Sequence, residues 1–198
     1  SANISNNVIG SINATGSESS PHAFWGIYYE NSNENNIYAK SYILNNQIGS
    51  TVTSKSILLT NRSNASGNAV ELGGIWNVSW SHLTVTGNTI FNLYNNDSSN
   101  TYSFTYGMKN TWYGYYNVRN NIIGNITTTS KRQHAQPNQY IITGILHEAA
   151  YTATSDTIFI CDNKVFGIYS LYNGSVNSYI SGMYFVNYWY PNITKISG

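Results

Sequence analysis

A repeat marked by five asparagines constrains this 198-residue chain more than any other feature of its sequence. A β-branched residue stands three positions before each of these asparagines, and another stands two positions after each. The spacings between successive asparagines are 39, 42, 33 and 42 residues, as expected for a fixed structural unit that carries loops of variable length. The anchors are Asn7, Asn46, Asn88, Asn121 and Asn163; the preceding residues are Ile4, Ile43, Val85, Val118 and Ile160; the following ones are Ile9, Ile48, Ile90, Ile123 and Val165.

A second landmark alternates with the first and consists of a glycine followed by an isoleucine or a methionine. Two independent motifs that alternate along the chain indicate one supersecondary unit, repeated five times. The register is also shared five positions after each anchor, where a further column of residues recurs. The glycine landmarks are Gly26-Ile27, Gly74-Ile75, Gly107-Met108, Gly144-Ile145 and Gly182-Met183, and the column is Ile12, Thr51, Leu93, Ile126 and Ile168.

Each unit has the residue pattern of β-strands. The chain contains 22 isoleucines against 8 leucines, and it contains 18 tyrosines. Residues 83–86 and 158–160 alternate with the period of a half-buried strand, and only residues 147–150 have a helical composition. The anchors lie on Asn-Asn, Gly-Asn or Asp-Asn dipeptides, which tolerate left-handed backbone angles. The sequence therefore predicts a strand, an asparagine bend and a second strand in every unit.

Strands that recur in equal phase fit a coil in which each turn stacks on the previous one. The five anchors would then form a ladder of side-chain amides, which satisfies buried donors and acceptors. With its x-I-x-x-N-x-I pattern, the sequence resembles the right-handed parallel β-helix superfamily of pectate-lyase-like architecture. The resemblance implies an all-β solenoid of about five coils with long loops, spanning residues 1–198 as a single domain. One long coil per unit is favoured over two short ones, and a β-sandwich with coincidental asparagine turns is the alternative fold.

Composition excludes several classes of function. Charged residues make up 9% of the chain and the net charge is +1, which does not suit a protein that binds nucleic acid through phosphates. No stretch is apolar enough for membrane insertion, and the single cysteine, Cys161, permits no intrachain disulfide and is expected to be an inert thiol. A nearly uncharged surface rich in Asn, Thr and Tyr favours an extracellular location or a cell or virion surface. Nine glycosylation sequons agree with that location, although they are only a mild excess over chance: Asn3, Asn13, Asn61, Asn64, Asn77, Asn96, Asn125, Asn173 and Asn192.

The superfamily that the chain resembles contains lyases, hydrolases, fibres and adhesins, so the fold alone does not specify an activity. Catalysis on a polysaccharide would need acidic residues that converge on one face. The best candidate set is His147, Glu148 and Asp156, for which a solvated loop is the plainer interpretation. We expect no cofactor, no metal site and no enzymatic activity, and we expect His22 and His82 to be surface or packing residues.

Three aromatic clusters provide candidate contact residues. Because alternate side chains of a strand face opposite ways, half of each cluster cannot belong to the core. The outward rings would pack against another subunit, contact a glycan or lie under a loop. The candidates are Trp25, Tyr28, Trp112, Tyr115, Tyr188 and Trp189.

The most favoured function is a non-catalytic structural or adhesive one, with self-association into a filament or surface layer. Residues 193–198 match the segment before an anchor, so the chain is either a fragment of a longer repeat protein or a protomer that stacks head to tail on itself. A carbohydrate-active enzyme or a glycan-binding module on the same fold is the alternative. Ice binding is a weaker one, suggested by the threonine-rich residues 51–53, 84–86 and 127–129.

Overall fold

A computed structural model describes residues 1–16, 23–31, 38–61, 70–97, 103–111, 115–130, 142–149, 157–171, 180–187 and 193–197. Within these ranges the regular secondary structure consists of strands alone. The strands are β1 (Asn3–Ser5), β2 (Val8–Ile9), β3 (Ile12–Thr15), β4 (Ala23–Asn31), β5 (Lys40–Leu44), β6 (Gln47–Ile48), β7 (Ile57–Asn61), β8 (Val70–Ser79), β9 (His82–Thr86), β10 (Thr89–Phe91), β11 (Leu93–Asp97), β12 (Ser103–Thr111), β13 (Tyr116–Arg119), β14 (Ile122–Thr128), β15 (Ile142–Ala149), β16 (Thr157–Cys161), β17 (Lys164–Ser170), β18 (Ile180–Asn187) and β19 (Ile193–Ser197).

These strands form three parallel sheets. Sheet A has the order β1-β5-β9-β13-β16-β19, and sheet C has the order β4-β8-β12-β15-β18. Sheet B contains β2, β3, β6, β7, β10, β11, β14 and β17. The described strand pairs are parallel and join segments one repeat apart, so the architecture is all-β and consistent with a β-helix-like solenoid. A β-sandwich would need antiparallel pairing, and that alternative is wrong.

The five anchor asparagines are joined by hydrogen bonds at the bend between sheets A and B. The Oδ1 atom of Asn46 accepts from the backbone N–H of Asn7 at 3.0 Å and from its Nδ2 at 2.9 Å. The same pair of bonds links each following anchor to the next. The residue before each anchor has a left-handed φ, between 51° and 70°, which turns the chain from one sheet into the next: Asn6, Asn45, Gly87, Asn120 and Asp162.

The core lies between the three sheets and is built from columns of branched aliphatic residues. Ile43, Val85 and Val118 of sheet A are fully buried, as are Ile48 and Ile90 of sheet B. Because the register repeats in every layer, each side chain packs on its counterparts in the layers above and below. The β-branched positions around each anchor are therefore the positions that fill the core.

The glycine landmark lies where sheet C approaches sheet B most closely. A Cβ atom on Gly107 would lie 2.4 Å from the Cγ2 atom of Ile123 and 2.5 Å from the carbonyl oxygen of Gly144. Gly74 is equally confined, with the Cγ2 atom of Ile90 at 2.6 Å. Only a residue without a side chain fits at such a distance, which explains the glycine of the first four units. At Gly182, in the fifth unit, an added Cβ atom would meet nothing closer than the Cγ1 atom of Val165 at 4.0 Å.

The shared register does not hold at one position. Thr51 is exposed in a loop that runs from residue 50 to residue 56, and Ile57 takes its place in the inward column, paired with Ile12 on one side and Leu93 on the other. The hydroxyl of Ser56 accepts a hydrogen bond from the backbone N–H of Ser50 at 2.7 Å and so closes this loop. A fixed count from the anchor fails here because the loop is inserted between two strands of one layer.

Candidate functional site

The outer surface of sheet A carries a groove of about 410 Å³, called here the sheet A groove. Strand alternation explains its lining, because Ser41, Leu83 and Tyr116 point inward and are buried, which turns their neighbours outward. β5, β9 and the start of β13 supply the lining residues, which are Lys40, Tyr42, His82, Thr84, Tyr115 and Asn117.

Aromatic stacking builds one wall of the sheet A groove. The rings of His82 and Tyr115 stack with centroids 4.9 Å apart, and Tyr115 meets the ring of Phe159 edge to face at 5.8 Å. This order follows from the register, since Leu83 pairs with Tyr116 and the residues before them become neighbours. The prediction that His82 is a packing residue on the surface agrees with this geometry.

The electrostatic character of the outer face of sheet A is positive. Lys40 is exposed at one end of the groove, and the guanidinium of Arg119 lies 5.8 Å from the ring centre of Phe159. The Nε atom of Arg119 donates a hydrogen bond to Oδ1 of Asn117, which holds both side chains beside the groove. In the described strands of sheet A, none of the outward positions is Asp or Glu.

A second, more enclosed aromatic cluster covers the outer face of sheet C. Trp25 lies 5.1 Å from Trp76 and 5.9 Å from Tyr106, measured between ring centroids. Lys109 sits over the Trp76 ring at 4.6 Å and forms an ion pair of 3.4 Å with Glu71. Burial raises the pKa of Tyr106 well above its ordinary value. Trp25 is therefore a packing residue of this cluster.

Tyr28 lies at the open side of the same face and is half exposed. Its hydroxyl donates a hydrogen bond of 2.7 Å to Oε2 of Glu30, and this bond raises the pKa of Tyr28 above its ordinary value. Three other candidate contact residues, Trp112, Tyr188 and Trp189, lie outside the described residues.

A smaller pocket of about 260 Å³ lies on the outer face of sheet B. The ammonium of Lys55 lies 4.2 Å from the ring centre of Tyr94, and Tyr169 is half exposed at the edge of this pocket. Lys55 belongs to the inserted loop, so the cationic group of this pocket comes from a loop, while most of its other lining residues lie on β11, β14 and β17.

The predicted catalytic set does not converge. His147 points into the solenoid, is 3% exposed and packs its ring 5.3 Å from that of Tyr116. Burial lowers the pKa of His147 to about 4, and neither ring nitrogen has a hydrogen-bond partner among the described residues. Glu148 is the next residue of the same strand and faces the opposite side, while Asp156 lies outside the described residues. Alternation along β15 therefore separates the imidazole from the adjacent carboxylate.

The predicted glycosylation sites fall into three groups. Asn3, Asn13 and Asn96 are exposed and Asn125 is half buried. Asn61 and Asn77 are fully buried, and Nδ2 of Asn77 donates a 2.7 Å bond to Oδ1 of Asn110, so a glycan at either site would prevent folding and the prediction does not hold there. The remaining sequons, Asn64, Asn173 and Asn192, lie outside the described residues.

The three threonine-rich segments face different sides of the molecule. Thr51 and Thr53 lie in the inserted loop, Thr84 belongs to sheet A and Thr127 belongs to sheet B. These three segments therefore do not form one flat threonine array. Cys161, the one cysteine of the chain, is buried.

In the parts of the chain that the structure describes, no three His, Cys, Asp or Glu side chains are grouped to hold a metal ion. Those parts also contain no long apolar helix of the kind that crosses a bilayer. Comparison of the chain with protein-family models, with curated proteins and with solved structures found no match in any of the three.

Proposed function

We propose that the chain is a non-catalytic structural and adhesive protein of an extracellular, cell or virion surface that associates with further copies of itself. In this proposal it is a single right-handed β-helix of about five coils with long loops. The observation that carries the proposal is the asparagine ladder, in which one pair of hydrogen bonds repeats from each anchor to the next and a further copy could extend the series. Each later anchor uses Oδ1 to accept two hydrogen bonds from the anchor before it, whereas Oδ1 of Asn7 accepts none from the described residues.

The edge that contains Asn7 consists of β1, β2, β3 and β4, each of which pairs on one side only among the described strands. The carbonyl of Ala2 and the N–H of Asn6 bond to β5, so alternation turns the N–H groups of Asn3 and Ser5 toward the open side. Unpaired strand edges of this kind are templates for pairing with another chain. Val8, on the same edge, is 75% exposed.

The last anchor has the complementary donors. Nδ2 of Asn163 donates one bond, to the carbonyl of Val118, and its second proton and the backbone N–H have no acceptor among the described residues. A second copy placed with its Asn7 over Asn163 would complete the pair of bonds. Its β1 would then take the position of β19 beside β16, so the proposed contact requires β19 to leave sheet A.

The nearly uncharged surface supports such an assembly, because two copies with a net charge of +1 repel each other little. Exposed sequons at Asn3, Asn13 and Asn96 support an extracellular site of action. Each backbone bond formed at the joint would contribute about 0.5–1.5 kcal/mol. In sheet A the bonds of the incoming β1 replace those that β19 makes to β16, so the net gain comes from sheets B and C.

Electron microscopy and sedimentation over a range of protein concentrations test this proposal. We expect filaments or end-to-end oligomers of the unmodified chain, and we expect Asn3→Pro to suppress them because proline removes an outward N–H without breaking a bond to β5. Asn3→Ala, which keeps that N–H and also removes the sequon, is the matched control and should assemble normally. A chain that stays monomeric at high concentration, or equal assembly of both variants, would contradict the proposal.

A glycan-binding module is the second candidate, and the sheet A groove is the observation that favours it. A carbohydrate-active enzyme would additionally need acidic residues on that surface. We therefore propose glycan binding at this groove in preference to catalysis.

A further inference from the structure

We propose that the sheet A groove binds a glycan that carries acidic groups. The shape of the groove suits a short oligosaccharide. The groove crosses β5, β9 and β13, whose spacing of about 4.8 Å gives it a length of roughly 10 Å along the axis of the solenoid. Linked pyranose rings repeat at about the spacing between two neighbouring strands. Two rings therefore fit beside three successive strands.

The lining of the groove is rich in hydrogen-bonding groups. Stacking occupies one face of His82 and one face of Tyr115, and the wall that they form also presents the imidazole nitrogens and the tyrosine hydroxyl. The opposite wall supplies the hydroxyls of Tyr42 and Thr84 and the side-chain amide of Asn117. A sugar with several hydroxyls can pair with such a lining, whereas an apolar ligand would leave these groups unpaired.

The charged side chains at the groove are basic. Lys40 is exposed in the groove, Arg119 lies beside it, and no carboxylate occupies the described outward positions of the sheet A strands. Positive charge with no carboxylate among the described outward positions of sheet A favours an anionic ligand, and this selects an acidic glycan over a neutral one of the same shape. The ammonium of an exposed lysine contributes modestly, so we expect Lys40→Gln to weaken acidic binding by about two- to fivefold.

The site has a rigid base, which separates it from the other surface candidates. The strands beneath it are held by the asparagine ladder and by the buried residues Leu83 and Tyr116. Sites built on strands keep their polar groups in fixed positions and lose less entropy on binding. The sheet B pocket, by contrast, takes Lys55 from a loop.

Binding is measured by titration calorimetry of the full chain, kept dilute enough to remain monomeric. The probes are hexasaccharides: one containing glucuronic acid, one bearing sialic acid and one neutral. We expect at least one acidic probe to bind more tightly than the neutral probe, with an affinity that falls as salt rises. Repeating the titration with Asn3→Pro separates this proposal from the filament proposal, since that substitution lies outside the groove.

Tyr115→Ala should weaken binding of the acidic probe at least about tenfold, because it removes a hydroxyl and leaves His82 without its stacking partner. Tyr28→Ala is the matched control: it removes a half-exposed tyrosine from sheet C and should leave the affinity unchanged. Thermal unfolding of both variants checks that they fold.

Three results would overturn the proposal: no binding of either acidic probe at millimolar concentration, tighter binding of the neutral probe, or equal losses in Tyr115→Ala and Tyr28→Ala. Failure of Lys40→Gln to reduce the preference for an acidic probe would overturn the assignment of charge recognition to this groove.

Discussion

The side-chain oxygen of Asn88 accepts both the backbone N–H of Asn46, at 2.9 Å, and its Nδ2 group, at 3.0 Å, across 42 residues of sequence. Nδ2 of Asn88 in turn donates to the carbonyl of Ile43 at 2.9 Å. Every polar atom of this side chain is therefore used inside a fully buried bend. One side chain therefore connects its own layer of the solenoid to the layers on both sides, and its substitution is a direct test of the fold.

We expect Asn88→Ala to lower the free energy of unfolding by about 2–4 kcal/mol, because it leaves the buried backbone N–H of Asn46 without its acceptor and removes the side-chain bond to the carbonyl of Ile43. Urea denaturation measures the loss. Asn13→Ala is the control at an exposed asparagine and should change stability by less than about 0.5 kcal/mol. Equal stability of the two variants would show that the ladder does not hold the bend.

Gly107→Ala should be destabilising by about 2–4 kcal/mol, since the added methyl group meets both the Ile123 side chain and the backbone oxygen of Gly144, and a backbone oxygen in a paired strand cannot move aside. Gly10→Ala is the matched substitution at a glycine where the nearest atom outside the local chain is 4.0 Å away. It should fold with nearly unchanged stability in the same denaturation experiment. A neutral effect at Gly107 would mean that the sheets can separate without cost.

Stability should fall as the pH drops from about 6.5 to about 4, because His147 stays neutral in the folded core while it takes up a proton in the unfolded chain. The buried ring has a folded-state pKa of about 4 against 6.5 unfolded, so the unfolded state binds more protons in this window. The loss amounts to about 3 kcal/mol at the acid end and is absent above pH 6.5.

Denaturation midpoints measured across this range check the sign of the effect. His147→Phe removes the titrating group and keeps an aromatic ring beside Tyr116 and Phe185. Its pH dependence should be flatter than that of the unmodified chain between pH 4 and 6.5. Parallel curves for the two proteins would refute the prediction.

Tyr116→Phe should cost about 1–3 kcal/mol of stability, because the buried hydroxyl donates to the carbonyl of Thr111 at 2.9 Å and accepts from the N–H of Ser79 at 3.2 Å. Tyr42→Phe provides the control at a tyrosine that is 37% exposed on the same sheet and should be nearly neutral. Thermal unfolding of the pair gives the comparison, and a larger loss at Tyr42 would contradict the burial argument.

The positions that the sequence predicted best are those whose role is set by the local backbone. Left-handed φ at Asn45 and Gly87 follows from residue type at a bend, and the β-branched neighbours of each anchor fill the inward side of short strands. The recurrence of these residues was enough to predict parallel stacking without knowledge of a single contact.

The site was harder to predict. Tyr115 was among the expected contact residues, and Thr84 was noted only in a threonine-rich segment, but Lys40, Tyr42 and Asn117 carry no motif of their own. They share a groove only because β5, β9 and β13 lie side by side. His147 and Glu148 appeared as a pair because they are adjacent in sequence, and strand alternation put them on opposite faces. The groove could have been found by aligning the three strands on their anchor asparagines and comparing the residues at the outward positions.

The sequence by itself determined the repeating unit, its strands and the bend at each asparagine, since these depend on the preferences of a few neighbouring residues. Tertiary structure alone decided which loops are insertions, so that Ile57 and not Thr51 lies in the core. It also explains the recurring glycine, since Gly107 lies against a neighbouring sheet. It also decided which outward side chains meet across strands. Local preferences act over a few residues, whereas packing distances and shared surfaces depend on segments more than 30 residues apart that come together only when the layers stack.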